Sequence, residues 1–118
     1  IDLRTIRPLD VDTIIESVKK TKRILVVDNG WTSFGVSAEI ISLVSENIAS
    51  ELLNNPIRIG VENVPIPSTR ELAKHAYPNT SKIVNTVLDL FSIKTDKKNF
   101  EDPNLKPDVP DQSFMGPF

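Results

Sequence analysis

The apolar positions of this chain change their period along its length. Residues 1–6, IDLRTI, alternate Ile1, Leu3 and Thr5 against Asp2, Arg4 and Ile6, which predicts a strand. Pro8 breaks that pattern, and Asp10 or Asp12 caps a helix on which Val11, Ile14, Ile15 and Val18 share one face. Acids open this helix and Lys19, Lys20 and Lys22 close it, as the helix dipole favours. Residues 24–27, ILVV, are an unbroken aliphatic run, the pattern of a strand covered on both faces. Val36, Ile40, Leu43, Val44 and Leu52 then trace a second helix, which ends before Asn54, Asn55 and Pro56. Residues 57–61 form a third short strand, and Pro65 and Pro67 keep the VPIPST stretch irregular because each lacks an amide donor. Ser68 caps a short helix running through His75 and stopped by Pro78. Asn79 or Thr80 opens the last helix, with Ile83, Val84, Val87, Leu88 and Phe91 on its buried face.

Strands alternating with helices predict an α/β domain with a mainly parallel sheet. Such sheets bind ligands at the carboxyl ends of their strands, which directs attention to the loops after residues 6, 27 and 61. Beyond Ile93 the periodicity is lost, and four of the nine prolines fall in this last stretch. The expected organisation is a domain over residues 1–92 and a proline-rich extended tail over 93–118, which Phe100, Phe114 and Phe118 would anchor.

Composition mainly removes possibilities. A net charge of −2 provides no overall field to attract nucleic acid or an anionic membrane. The absence of cysteine excludes disulfides, thiolate catalysis and cysteine-ligated metals, and the single His75 excludes a multi-histidine metal site. No apolar run approaches the roughly 20 residues of a membrane-spanning helix. The chain starts at an isoleucine inside a strand-like segment, the expectation being that it is a C-terminal piece of a longer protein.

The most distinctive loop is DNGWTSFGVSAEI, residues 28–40, where an apolar run, a glycine turn and a helix pattern follow one another as in a phosphate cradle. Gly30 and Gly35 are spaced as in a P-loop, but Val36 and Ser37 stand where such a loop continues with Lys and Ser or Thr. No lysine reaches a phosphate, Trp31 and Phe34 crowd the cradle, and Asp28 and Glu39 repel a polyphosphate. The two aromatics either meet a partner or pack into the domain's own core. In RPLDVD, Arg7, Asp10 and Asp12 have the makings of a metal or acid–base site, although a helix cap with a salt bridge is the simpler reading. His75 stands near the end of a short helix without a paired nucleophile, and no G-x-S-x-G elbow is present. The residues therefore offer no catalytic, cofactor-binding or metal-binding centre.

Several motifs in order resemble those of one family. Residues 2–10, DLRTIRPLD, residues 17–21, SVKKT, and residues 30–40, GWTSFGVSAEI, are similar to the C-terminal domain of the beta subunit of thiamine-diphosphate-dependent 2-oxo acid dehydrogenases. PIRIG at residues 56–60 and VPIP at 64–67 also have counterparts there, so the likeness extends from residue 1 to about residue 91. The resemblance implies the transketolase C-terminal fold, a three-layer α/β/α sandwich. It implies that thiamine diphosphate and magnesium bind elsewhere in the parent enzyme, between its alpha and beta subunits. The domain's implied role is the subunit interface with the alpha subunit and a second beta subunit, with a contribution to docking the acyltransferase core. Self-association as a homodimer follows from this, with neither nucleic acid nor membrane as partner. The implied location is the bacterial cytoplasm or the mitochondrial matrix. Trp31, Phe34, Asn54 and Asn55 are the candidate interface residues.

Three departures qualify the likeness. Family domains begin with an earlier strand and helix, and that strand lies between those matched by residues 1–6 and 24–27, so a sheet edge is left open. Asn54 and Asn55 precede Pro56 where the family often has an acid, so the negative charge that would favour a basic docking module is missing. The tail after Phe91 extends past the usual end. Two other functions share the fold: the C-terminal domain of a transketolase-type two-carbon transferase, and a stand-alone binding domain.

Overall fold

The computed structural model describes residues 1–96, 99 and 100. Helix α1 (Val11–Thr21) is capped by Asp10, whose carboxylate accepts from the Thr13 amide at 3.1 Å and the Thr13 hydroxyl at 2.7 Å. It ends at Lys22, in a left-handed conformation (φ 54°), whose amide donates to the Val18 carbonyl. Ile14 and Val18 turn inward and meet Ile40, Val44 and Ile48 of α2 (Val36–Ile48), forming the hydrophobic core. Helix α2 gives way to a single 3-10 turn (Ala49–Glu51), so Leu52 reaches the core from beyond the helix that its spacing predicted.

Strands β1 (Leu25–Trp31) and β2 (Ile57–Val61) run parallel, pairing Leu25 with Ile57, Val26 with Arg58 and Val27 with Ile59. Pairing resumes at Trp31 and Val61, so β1 advances four residues (27 to 31) while β2 advances two (59 to 61). Residues 28–30, expected to be loop, therefore continue the strand as an irregular bulge. Gly60 allows this close approach, since a Cβ there would stand 2.8 Å from the Gly30 carbonyl oxygen. The ILVV run is not covered on both faces: Val26 packs against the core while Val27, on the opposite face, remains exposed.

Residues 1–6 form no strand, contrary to their alternation. Among the described residues β1 pairs only with β2, and a cleft of about 780 Å³ lies between Ile1, Leu3 and Ile6 on one wall and β1 on the other. An extended segment becomes a strand only through a neighbour's hydrogen bonds, and residues 1–6 have none within reach.

Helix α3 (Arg70–Ala76) starts after Thr69 rather than Ser68. Helix α4 (Thr80–Leu90) is capped by Asn79, whose side-chain oxygen accepts from the Lys82 amide at 2.8 Å. Its buried residue is Leu90, whereas Val87 and Phe91, expected inside, are exposed. The guanidinium of Arg23 lies 4.9 Å from the centre of the Phe91 ring, which ties the end of α4 to the start of β1. The Phe100 amide donates to the Ser81 hydroxyl at 2.7 Å, so this residue rests on the first turn of α4. Phe114 and Phe118 lie outside the described residues.

A candidate interface at the carboxyl end of the sheet

The loop from β1 into α2 is held at both ends. Thr32 continues the sheet by donating its amide to the Val61 carbonyl at 2.9 Å. Gly35 occupies the N-cap position of α2 and has no side chain to satisfy the helix's first amides. Asp28 supplies the missing acceptor from β1: one carboxylate oxygen takes the Gly30 amide at 2.8 Å, the other the Ser37 amide at 3.4 Å. Its charge also suits the positive end of the helix. The side-chain amide of Asn63 donates to the Ser33 hydroxyl at 2.6 Å, fastening this loop to the one after β2.

Within this frame Phe34 is fully exposed at 104%, on left-handed backbone with φ 60°. Trp31 is 56% exposed, so it does not belong to the domain's own core. Val64 and Ile66, on the neighbouring loop, add further exposed apolar surface. Beside Phe34 a groove of about 550 Å³ is lined by Ser33, Gly35, Ala38, Glu39 and Arg58. Sequence reasoning treated Glu39 only as a repulsive charge and missed Arg58. Its signal was the alternation in IRIGV, which puts Arg58 on the opposite face from Ile57 and Ile59.

Asn54 and Asn55 are not part of this surface. They precede β2, while Trp31 pairs with Val61 at its other end, and the strand between, Ile57 to Val61, spans about 13 Å at the usual rise per residue. Asn55 is exposed, and the buried side-chain oxygen of Asn54 has no hydrogen-bond partner. The four candidate residues thus divide into two patches at opposite ends of the sheet. Asp10 serves as a helix cap, and His75 is exposed in the last turn of α3. Near the amino end a surface ion pair joins Arg4 to Asp2 at 3.2 Å, in place of the expected pairing of Arg7 with Asp10 or Asp12. Among the described residues no group of three or more His, Cys, Asp or Glu side chains is placed to hold a metal ion.

Comparison with known proteins decides the family. The model of the transketolase C-terminal domain matches residues 1–83. The chain belongs to the transketolase C-terminal domain family. It is 44% identical over 95 residues to the mitochondrial pyruvate dehydrogenase E1 component subunit beta of Saccharomyces cerevisiae, covering 80% of this chain and 26% of that protein. It is 49% identical over 88 residues to the pyruvate dehydrogenase E1 component subunit beta of Rickettsia felis, covering 74% of this chain and 27% of that protein. The mitochondrial subunit of Bos taurus is 37% identical over 94 residues, covering 79% of this chain and 26% of that protein. This transketolase C-terminal domain therefore spans about a quarter of the length of the curated relatives it matches.

Proposed function

We propose that this chain is a non-catalytic assembly domain of the decarboxylating component of a 2-oxo acid dehydrogenase complex. The observation that carries the reading is the fixed loop after β1, which presents Phe34 and Trp31 to solvent in a domain whose relatives are named as E1 beta subunits. Rigid, exposed aromatic side chains lose little entropy on contact, which makes them effective anchors. The parent enzyme would decarboxylate a 2-oxo acid on thiamine diphosphate and pass the acyl group to lipoyl-lysine. The glycine loop does not fit that cofactor's diphosphate, because Asp28 places a carboxylate on the Gly30 and Ser37 amides that an anion would need.

In this reading the contacts are to an alpha subunit and a second beta subunit, with the acyltransferase core as a further partner. Asn54 and Asn55 form a separate contact patch at the opposite end of the sheet. The domain runs to about residue 92 in this reading, and most of the stretch expected as a tail, residues 93–118, lies outside the described residues. Bacterial and mitochondrial relatives suggest the bacterial cytoplasm or the mitochondrial matrix. Among the described residues no helix is long and apolar enough to cross a membrane.

The test is sedimentation equilibrium of Trp31→Ala over a wide concentration range, with circular dichroism as the folding control. Weakened association with an unchanged spectrum supports the reading. Unchanged association overturns this loop as the contact face, and a lost spectrum assigns Trp31 a role in holding the fold.

A further inference from the structure

Of the asparagines in the sequence, Asn29 alone precedes a glycine. Asparagine is chemically labile when the next backbone nitrogen can reach its side-chain amide carbon, and glycine, lacking a Cβ, obstructs that approach least. A regular strand resists the attack, because the ladder fixes both the peptide and its amide hydrogen. Here the ladder is interrupted: pairing with β2 lapses between Val27 and Trp31, and the Asn29–Gly30 peptide falls within the gap. The Gly30 amide donates to the Asp28 carboxylate at 2.8 Å instead of to a carbonyl of β2. Asn29 is exposed and lines the cleft beside residues 1–6, and among the described residues its side chain makes no hydrogen bond.

We propose that Asn29 is a site of spontaneous covalent modification, with Asp28 as the base and water as the second reactant. The Gly30 nitrogen gives its proton to the Asp28 carboxylate, already within hydrogen-bond reach, and bonds to Asn29 Cγ. The Cγ–Nδ2 bond breaks, and the leaving nitrogen takes the proton and departs as ammonia. Water then opens the resulting succinimide at one of its two carbonyls, and no atom is oxidised or reduced. Breaking the new bond to Cγ leaves aspartate, while breaking the original peptide bond leaves isoaspartate, with the main chain routed through the side chain. Isoaspartate lengthens the backbone by one carbon between Asp28 and Gly30, so the carboxylate can no longer bridge the Gly30 and Ser37 amides, and α2 loses its cap. The site does not depend on the loop being a contact face.

The test is incubation of the full 118-residue chain at neutral pH, folded in buffer and unfolded in urea. Peptide mass spectrometry reads the conversion of amide to acid at Asn29. Enzymatic methylation of isoaspartyl carboxylates by S-adenosylmethionine reads the rearranged product. The folded chain should convert at Asn29 no more slowly than the unfolded one. Asp28→Asn should slow conversion about tenfold in the folded chain and leave the unfolded rate unchanged. Asn29→Gln should remove the signal, because its longer side chain must close a larger ring. Circular dichroism verifies that each variant is folded, and the wild-type comparison needs no variant.

An Asn29 that stays intact in the folded chain while the unfolded chain converts would overturn the proposal, since the fold would then protect the peptide. Conversion at other asparagines but not at Asn29 overturns it as well. Folded Asp28→Asn converting as fast as wild type would overturn the part assigned to the carboxylate.

Discussion

Phe34 combines left-handed backbone with complete exposure, so replacing it separates stability from association. A left-handed residue with a Cβ costs roughly 1–2 kcal/mol. Phe34→Ala retains the Cβ and therefore that cost, and because the ring makes no buried contact the variant should match wild type to within about 0.5 kcal/mol. Phe34→Gly removes the strain but gives the unfolded chain more freedom, a counter-effect of about 0.4–1 kcal/mol. The difference leaves the glycine variant more stable than the alanine variant by roughly 0.5–1 kcal/mol. With a urea slope of about 1–2 kcal/mol/M, its unfolding midpoint should rise by roughly half a molar. Unfolding must be followed at concentrations where every variant is monomeric, because dimerisation itself raises apparent stability. Sedimentation should show both variants associating more weakly than wild type. A glycine variant no more stable than the alanine one would refute the strain argument. A large loss of stability in both would mean that the ring packs inside the domain.

Two further substitutions probe the frame of the loop and the first helix. Gly35 has φ −89° and ψ 176°, which alanine adopts readily, so backbone entropy alone predicts that Gly35→Ala stabilises. A Cβ at this position would stand 2.5 Å from the Trp31 carbonyl oxygen, so we expect destabilisation of about 1–3 kcal/mol and altered Trp31 fluorescence; an equally stable variant would exclude the clash. The hydrogen bonds from the side chain and amide of Thr13 hold the Asp10 carboxyl below its usual pKa of 3.8. The folded state thus favours the ionised form, and this contribution is full above the ordinary carboxylate pKa and lost as pH falls through the lower folded value. Asp10→Ala should reduce the acid-induced loss of stability below about pH 4, measured by denaturant unfolding at a series of pH values, and an unchanged slope would refute the cap's role.

The family-level reading was legible because it rested on local order: DLRTIRPLD, SVKKT and GWTSFGVSAEI fall in sequence, and the family match covers residues 1–83. The helix caps at Asp10 and Asn79 were equally legible, because a cap forms between residues three apart. The strand expected at residues 1–6 was not formed, since alternation shows only that a segment suits a sheet and not whether an edge is within reach. The candidate site was legible only in part. Trp31 and Phe34 stood out by type, but the grouping of Glu39, Arg58 and Asn63 around them joins α2, β2 and the loop after β2.

What the sequence determined by itself were the periods of its apolar residues, its turn and cap chemistry, and the absence of cysteine and of a second histidine. These properties depend on residues near one another in the chain or on composition alone. Tertiary structure decided that Asp28 caps a helix nine residues onward, that residues 28–30 bulge beside Gly60, and that Trp31 faces outward. It also placed Asn54 and Asn55 at the far end of the sheet from Phe34. Each of these depends on where β1 and β2 sit side by side, and parallel pairing joins segments whose distance along the chain says nothing about their distance in space.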